Sequence, residues 1–423
     1  MRQTAASPRA ASVAVFAVFF LSGFAFSGWA SRMPAVRDAL GLAPNGMGLL
    51  LLTLAVGSVL ALPLSGLVVE HLGARRTVEA AAGLAVVGLL LAATAVAFGN
   101  VWLTAPGLFA YGVGTAVWDA AMNLEGAAVE QRLGRAVMPR YHAGFSFGTM
   151  AGAALGAGAA ALHVPVIGHL AVTLSLTMAG VLVATRSFLP EGTHAPAPAQ
   201  PGADGAPTKG GRARSFRAWT ETRTLLVGVV VLAAALAEGS ANDWLSLAVV
   251  DGFETSDAVG AAGFAVFVTA MTGMRLLGTR LIDRFGRVAA LRLTSGLALV
   301  GLLVFGLAPS LPLALVGVVA WGTGAALGFP VGMSAAADDP RHAPGRVAVV
   351  STLGYTAFLA GPPLLGMLAD HVGYRQALLA ITIPALIGFA VAHVARPLTP
   401  GDAAPVDTGL DPAVAPGAEP AAD

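Results

Sequence analysis

Hydrophobic positions in this chain do not alternate with polar ones; they run in long unbroken blocks. A helix that crosses a bilayer needs about 20 mostly apolar residues. Cutting the blocks at charges and at Pro/Gly clusters predicts twelve such segments, at 12–33, 45–69, 77–98, 101–127, 141–162, 165–188, 224–250, 258–281, 288–308, 311–334, 347–369 and 374–395. They are apolar on every face, whereas a helix of a soluble domain keeps a polar side. The first is too long and continuous for a cleaved signal peptide. The expected fold class is an all-α polytopic membrane protein with twelve transmembrane helices in two six-helix bundles.

Polar positions gather between the blocks and give an orientation. Of the 24 basic residues, 20 fall on the side that also holds both termini. Arg32, Arg37 and Arg375 fall on the other side, and Arg275 lies inside a segment. Basic loops stay on the cytoplasmic side, so both termini are expected in the cytoplasm, and the chain in the inner membrane of a bacterial cell. The predicted organisation is a tail at 1–11, a bundle at 12–188, a linker at 189–223, a second bundle at 224–395 and a disordered tail at 396–423. The linker is rich in Pro, Gly and Ala and then basic, which fits a flexible tether beside anionic lipid rather than a nucleic-acid site.

Composition sharpens this picture. Only 11% of residues are charged and 56% are hydrophobic, against about 25% charged in a soluble protein. There is no cysteine, so thiolate metal sites and disulfides are excluded. The eight histidines are dispersed and form no HExxH pattern. No metal, cofactor or catalytic residue is expected, and the chain is not expected to be an enzyme.

The two halves repeat each other. Gly66-Leu-Val-Val-Glu70-His-Leu-Gly73-Ala-Arg75-Arg76 follows the second segment, and Thr279-Arg-Leu-Ile-Asp283-Arg284-Phe-Gly286-Arg287 follows the eighth. A third copy, Gly366–Gln376, follows the eleventh, so each half reads as a doubled three-helix unit. The pattern Gly66, Glu70, Gly73, Arg75, Arg76 resembles the signature loop of the major facilitator superfamily, with Glu70 for the usual Asp and His71 for the usual Arg. The later loop keeps Asp283, Arg284, Gly286 and Arg287. Asp119-Ala-Ala-Met-Asn123 resembles the acidic-x-x-x-Asn element of fucose permease and its bacterial relatives, where the acid is usually Glu. This chain lacks that family's carboxylate in the first helix. The resemblance implies a twelve-helix secondary transporter, and its subgroup implies proton-coupled uptake of a sugar-like solute.

The chemistry is expected where charge enters the apolar blocks. A lone carboxylate at the bilayer centre costs at least about 2.5–3.5 kcal/mol and so faces a cavity or a partner. Asp119 lies 17 residues beyond Trp102, roughly 25 Å along its helix, and Glu238 lies 13 beyond Leu225, roughly 20 Å along its own. Asn123 and Asn242 follow them by four residues and share their faces. Desolvation raises a carboxylate pKa, which makes Asp119 and Glu238 candidates for proton coupling. The alternative is a purely structural hydrogen bond between helices. Trp118 is expected to line the cavity beside Asp119, Trp29 and Trp244 to sit in an interfacial belt, and Glu125 and Glu130 to be solvated. The signature loops are expected to act as cytoplasmic gating latches. Arg32 and Asp243 lie at nearly one depth on the first and seventh segments and are expected to pair as an outer gate.

The expected partners are a small-molecule substrate, protons and the lipid bilayer, with no nucleic acid and a monomeric chain. Uptake of a polar solute and proton-driven efflux of a hydrophobic compound both fit this plan. The polar groups Asp119, Asn123, Glu238 and Asn242 favour uptake.

Overall fold

The computed structural model describes residues 7–134, 137–190, 218–339 and 342–398. Most of the linker expected at 189–223 and of the two tails lies outside the described residues. The described residues form helices, and no strand occurs among them. The first half comprises α1 (Pro8–Ala30), α2 (Met33–Leu40), α3 (Pro44–Ala97), α4 (Val101–Leu133), α5 (Met138–Ala161) and α6 (Val166–Ala184). The second comprises α7 (Thr222–Phe253), α8 (Asp257–Leu307), α9 (Leu311–Ala325), α10 (Gly328–Ala336), α11 (Ala343–Val372), α12 (Tyr374–Ala377) and α13 (Thr382–Val391). Among the described residues eight helices are long and apolar enough to cross a membrane.

Two of them differ from the sequence expectation in an instructive way. α3 has 54 residues and α8 has 51, and each joins two predicted segments without a loop. The chain is redirected at one residue, Gly73 (φ 77°, ψ 159°) in α3 and Gly286 (φ 80°, ψ 164°) in α8. Gly373 (φ 82°, ψ 159°) adopts the same conformation between α11 and α12. These are equivalent positions of the three repeated loops, and the conformation belongs essentially to glycine. The sequence repeat is therefore a repeated backbone turn.

Proline produces the other breaks. Pro330 offers no N–H to the Ala326 carbonyl, and the segment predicted at 311–334 is split there into α9 and α10. Pro384 does the same for Ala380, where a 3-10 turn, Leu378–Ile381, precedes α13.

Within each half the packing is backbone to backbone. α1 lies on α5 and α3 on α4; α7 lies on α11 and α8 on α9. A Cβ at Gly148 would strike the Phe20 carbonyl, and one at Gly112 the Leu54 carbonyl. Small residues allow such approach where lipid provides no hydrophobic drive. The halves meet through α3 against α11 and α5 against α8.

That contact is tightest at the end away from the termini. The Asn45 N–H donates to Asp370 Oδ1 at 3.1 Å, and Arg37 donates to Asp251 across the halves. A Cβ on Gly366 would meet the Pro44 carbonyl at 2.7 Å. At the end that holds the termini the named ion pairs stay within one half. Arg75 binds Glu79 at 2.9 Å, Arg287 and Arg223 share Asp338, and Arg346 binds Glu221 through two nitrogens. Burial pushes the Glu221 carboxyl up, but hydrogen bonds from Arg346 and Thr224 outweigh it and hold the group below the usual carboxylate range.

Replacing Gly286 by Ala forces a side chain into a region that costs about 1–3 kcal/mol. The Gly286→Ala protein is expected to melt several degrees lower in a thermal scan. Gly66→Ala, in open space, is expected to leave the melting temperature unchanged or slightly raised.

Candidate functional site

The halves face each other through α5 and α8 and through α3 and α11, and the candidate residues lie on α4, α7 and the helices beside them. Asp119 of α4 is exposed at the surface of its helix, and Asn123, one turn on, donates to its carbonyl at 2.8 Å and its Oδ1 at 3.3 Å. The amide thus orients the acid without neutralising it. Tyr355 of α11, 40% exposed, lies within electrostatic range of Asp119. The acid therefore looks across the inter-half space.

Glu238 of α7 is not the lone desolvated acid that the sequence implies. Arg275 of α8 donates from Nη2 to Glu238 Oε2 at 2.8 Å. The same guanidinium sends Nε to the Ala326 carbonyl at 3.4 Å. That carbonyl is the one Pro330 leaves without a helical donor. An intramembrane arginine is thereby satisfied by an acid and by a helix end, both of which favour a cation. The pair is partly accessible, with side-chain exposures of 29% for Arg275 and 19% for Glu238. Asn242 is half-buried on the same helix. His142 of α5 is exposed, stands edge-on to Phe19 at 5.2 Å, and lies within electrostatic range of Arg275.

Several sequence expectations are corrected. Trp118 does not line the cavity: it is 2% exposed. Neighbouring side chains on a helix diverge by roughly 100°, so an outward Asp119 turns Trp118 into the bundle. Trp29 and Trp244 are each 1% exposed and form no interfacial belt. Glu125 is fully buried and accepts the Leu189 N–H at 2.7 Å, while Glu130 accepts the N–H groups of Val137 and Met138 at the start of α5. Both serve as acceptors for free helix-end and chain donors rather than as solvated charges.

The proposed Arg32–Asp243 gate is also absent, although the halves are closed at that end. Arg32 is buried and donates to the Val164 carbonyl at 2.8 Å, inside its own half. Asp243 lies in a narrow cleft between α7 and α11. The pair that joins the halves is Arg37–Asp251, with the Arg37 guanidinium 5.7 Å from the centre of the Tyr374 ring. Depth along a helix does not fix the direction in which a side chain points.

The signature-loop residues stay at the terminus-bearing end. Gly66, Glu70, Arg76, Asp283 and Arg284 are exposed, and Arg284 lies over the Phe285 ring. Arg75 and Arg287 are held within their own halves, by Glu79 and Asp338. Sequence reasoning missed His142 and Tyr355, which carry no charge signal at neutral pH. It noticed Arg275 as an intramembrane charge but not its partner, 37 residues away on another helix.

A family model described as Major Facilitator Superfamily matches residues 15–357. The uncharacterized transporter y4wD of Sinorhizobium fredii (strain NBRC 101917 / NGR234) is 33% identical over 390 residues, covering 88% of this chain and 97% of that protein. An uncharacterized MFS-type transporter of Yersinia pestis is 30% identical over 385 residues, covering 90% of this chain and 94% of the relative. Among solved structures, the nucleoside transporter NupG superposes with a TM-score of 0.67 at 14% identity, over 90% of this chain and 98% of its own. The fucose:proton symporter FucP of E. coli superposes with a TM-score of 0.61 at 16% identity, over 91% and 98%. At such identities the likeness to the two structures is one of fold.

The ion pair can be weighed directly. Arg275→Ala and Glu238→Ala should each lower thermal stability, because each strands a poorly solvated charge. The double variant should recover part of the loss, with a coupling of about 1 kcal/mol given the partial exposure. A double-mutant cycle on melting curves checks this; strictly additive losses would remove the pair from the structural account.

Proposed function

The chain belongs to the major facilitator superfamily, and from that premise we propose that it takes up a small polar, sugar-like solute together with a proton by alternating access. Membership makes it a multi-pass membrane transporter, not an enzyme, that binds a small molecule within a lipid bilayer. In our reading it crosses the inner membrane of a bacterium twelve times as a monomer, with a six-helix bundle on each side of a cytoplasmic linker and both termini inside. On that orientation the halves are closed at the outer end, and the site faces the cytoplasm.

One observation carries the proposal. Asp119 is an exposed carboxylate within α4, a helix that in our reading crosses the membrane, and it is oriented by Asn123. Such a group can exchange a proton with whichever side the cavity opens to, and its amide neighbour supplies donors for hydroxyls. Asn242 and the Glu238–Arg275 pair extend the polar wall from the second half. That FucP is a fucose:proton symporter and NupG a nucleoside transporter supports a polar solute. Efflux of a hydrophobic compound would require a largely apolar lining.

The signature loops act in our reading as the inner latch. Arg75 and Arg287, now bound within their own halves, would exchange partners when the terminus-bearing end closes; Gly73 and Gly286 set the turns from which they project. The outer latch is Arg37–Asp251, with Tyr374 beneath the guanidinium.

Two outcomes are expected. In proteoliposomes Asp119→Asn should abolish accumulation of the transported sugar driven by a proton gradient while counterflow persists. Accumulation in that variant, or export of a hydrophobic dye by the parent protein, would overturn the reading. The absence of native cysteine permits a second test with Tyr355→Cys as reporter. Adding Arg37→Ala should speed its labelling by an impermeant maleimide from outside, and an unchanged rate would exclude the outer latch.

A further inference from the structure

Asp243 has no role in the site just described, yet its surroundings are unusual. It sits on α7 in a cleft closed by Ala357, Phe358, Gly361 and Pro362 of α11, with Ser240 and Trp244 of its own helix beside it. Among the described residues no hydrogen bond or ion pair reaches its carboxylate. A carboxylate at membrane depth needs a partner, and no other charged side chain lines this cleft.

What the cleft offers instead is oxygen. The Ser240 hydroxyl donates its hydrogen to the Leu236 carbonyl, so its lone pairs are left for the cleft. Pro362 stands inside α11 and has no N–H for the carbonyl of Phe358, one turn earlier, and both residues line the cleft. The indole N–H of Trp244 is buried without an acceptor and does not reach the acid. An acid, a hydroxyl oxygen and a proline-freed carbonyl form a set of hard acceptors. Unwound backbone carbonyls coordinate such ions in transporters built on discontinuous helices; α11 runs unbroken through Pro362, so here the proline alone frees the carbonyl.

We infer that Asp243, Ser240 Oγ and the Phe358 carbonyl form a binding site for a monovalent cation of sodium size. Charge selects a monovalent ion, because one carboxylate balances one positive charge and a divalent ion would leave an excess in a low-dielectric setting. Size excludes an organic substrate, since the free space holds about one water molecule. The site is separate from Asp119, so it stands whether or not Asp119 carries a proton. Occupied, it would tie α7 to α11 inside the second half, next to the contact of α11 with α3 that closes the outer end.

The test uses the purified full-length protein in detergent at alkaline pH, with NaCl exchanged for KCl or choline chloride at constant ionic strength. Sodium is expected to raise the melting temperature saturably, while potassium and choline are not. Asp243→Asn should lose the whole sodium-dependent shift, and Asp119→Asn should keep it. Equal shifts with choline, or a sodium shift that survives Asp243→Asn, would overturn the site. So would a melting temperature that responds through Asp243 to pH but not to sodium, the behaviour of an acid that only binds protons. Pro362→Ala returns a donor to the Phe358 carbonyl and should move the sodium midpoint to higher concentration. An unchanged midpoint there would overturn the assignment even if Asp243→Asn failed to fold.

Discussion

In a hydrocarbon core every backbone polar group must find a partner within the protein, and the places where this chain fails to provide one along its own helix organise the molecule. Pro330 withdraws the donor for the Ala326 carbonyl, α9 stops there, and Arg275 supplies the missing N–H while binding Glu238. One break thus positions the only arginine that the charge pattern puts inside an apolar segment. It also draws Glu238, Arg275 and the end of α9 into one corner of the second half. Pro362 creates a similar vacancy for Phe358, in the cleft that holds Asp243.

Glycine acts in a complementary way. Gly73, Gly286 and Gly373 share one non-helical conformation, which turns the chain between helices without a loop of polar backbone. Elsewhere glycines let α1 and α5, or α3 and α4, touch backbone to backbone. Several of these contacts leave no room for a single added methyl group. Between the halves, close backbone approaches at Gly48 and Gly366 are joined by a guanidinium on a carboxylate, an N–H on Asp370 and a ring beneath a cation. Ionic contacts near an aqueous end can be exchanged for water at modest cost.

The acids differ in what holds them. Glu125 and Glu130 accept chain N–H groups and brace the first half; Glu238 is balanced by Arg275; Asp119 has the amide of Asn123 beside it. Among these, Asp119 is the acid whose protonation would cost no structural bond.

Much of this was determined by the amino-acid sequence alone. Continuous apolar blocks dictate membrane helices because lipid tolerates no exposed backbone, and ten of the twelve predicted blocks fall on the eight helices long and apolar enough to cross a membrane, while those at 101–127 and 141–162 fall on α4 and α5, which are not among the eight. The repeated Gly-Arg loops dictate the repeated turn, since glycine alone accepts the backbone conformation at Gly73 and Gly286. Asp119 and Asn123 were legible for a local reason: residues four apart share a helix face whatever surrounds them. Tertiary structure decided the rest. It chose Arg275 for Glu238, Leu189 for Glu125, the Val164 carbonyl for Arg32 and Asp251 for Arg37, and it turned Trp118, Trp29 and Trp244 inward. Those choices depend on how each helix is rotated about its axis and which neighbour it meets. Helices that are apolar all round carry no amphipathic signal to fix that rotation, so only the packed bundle can supply it.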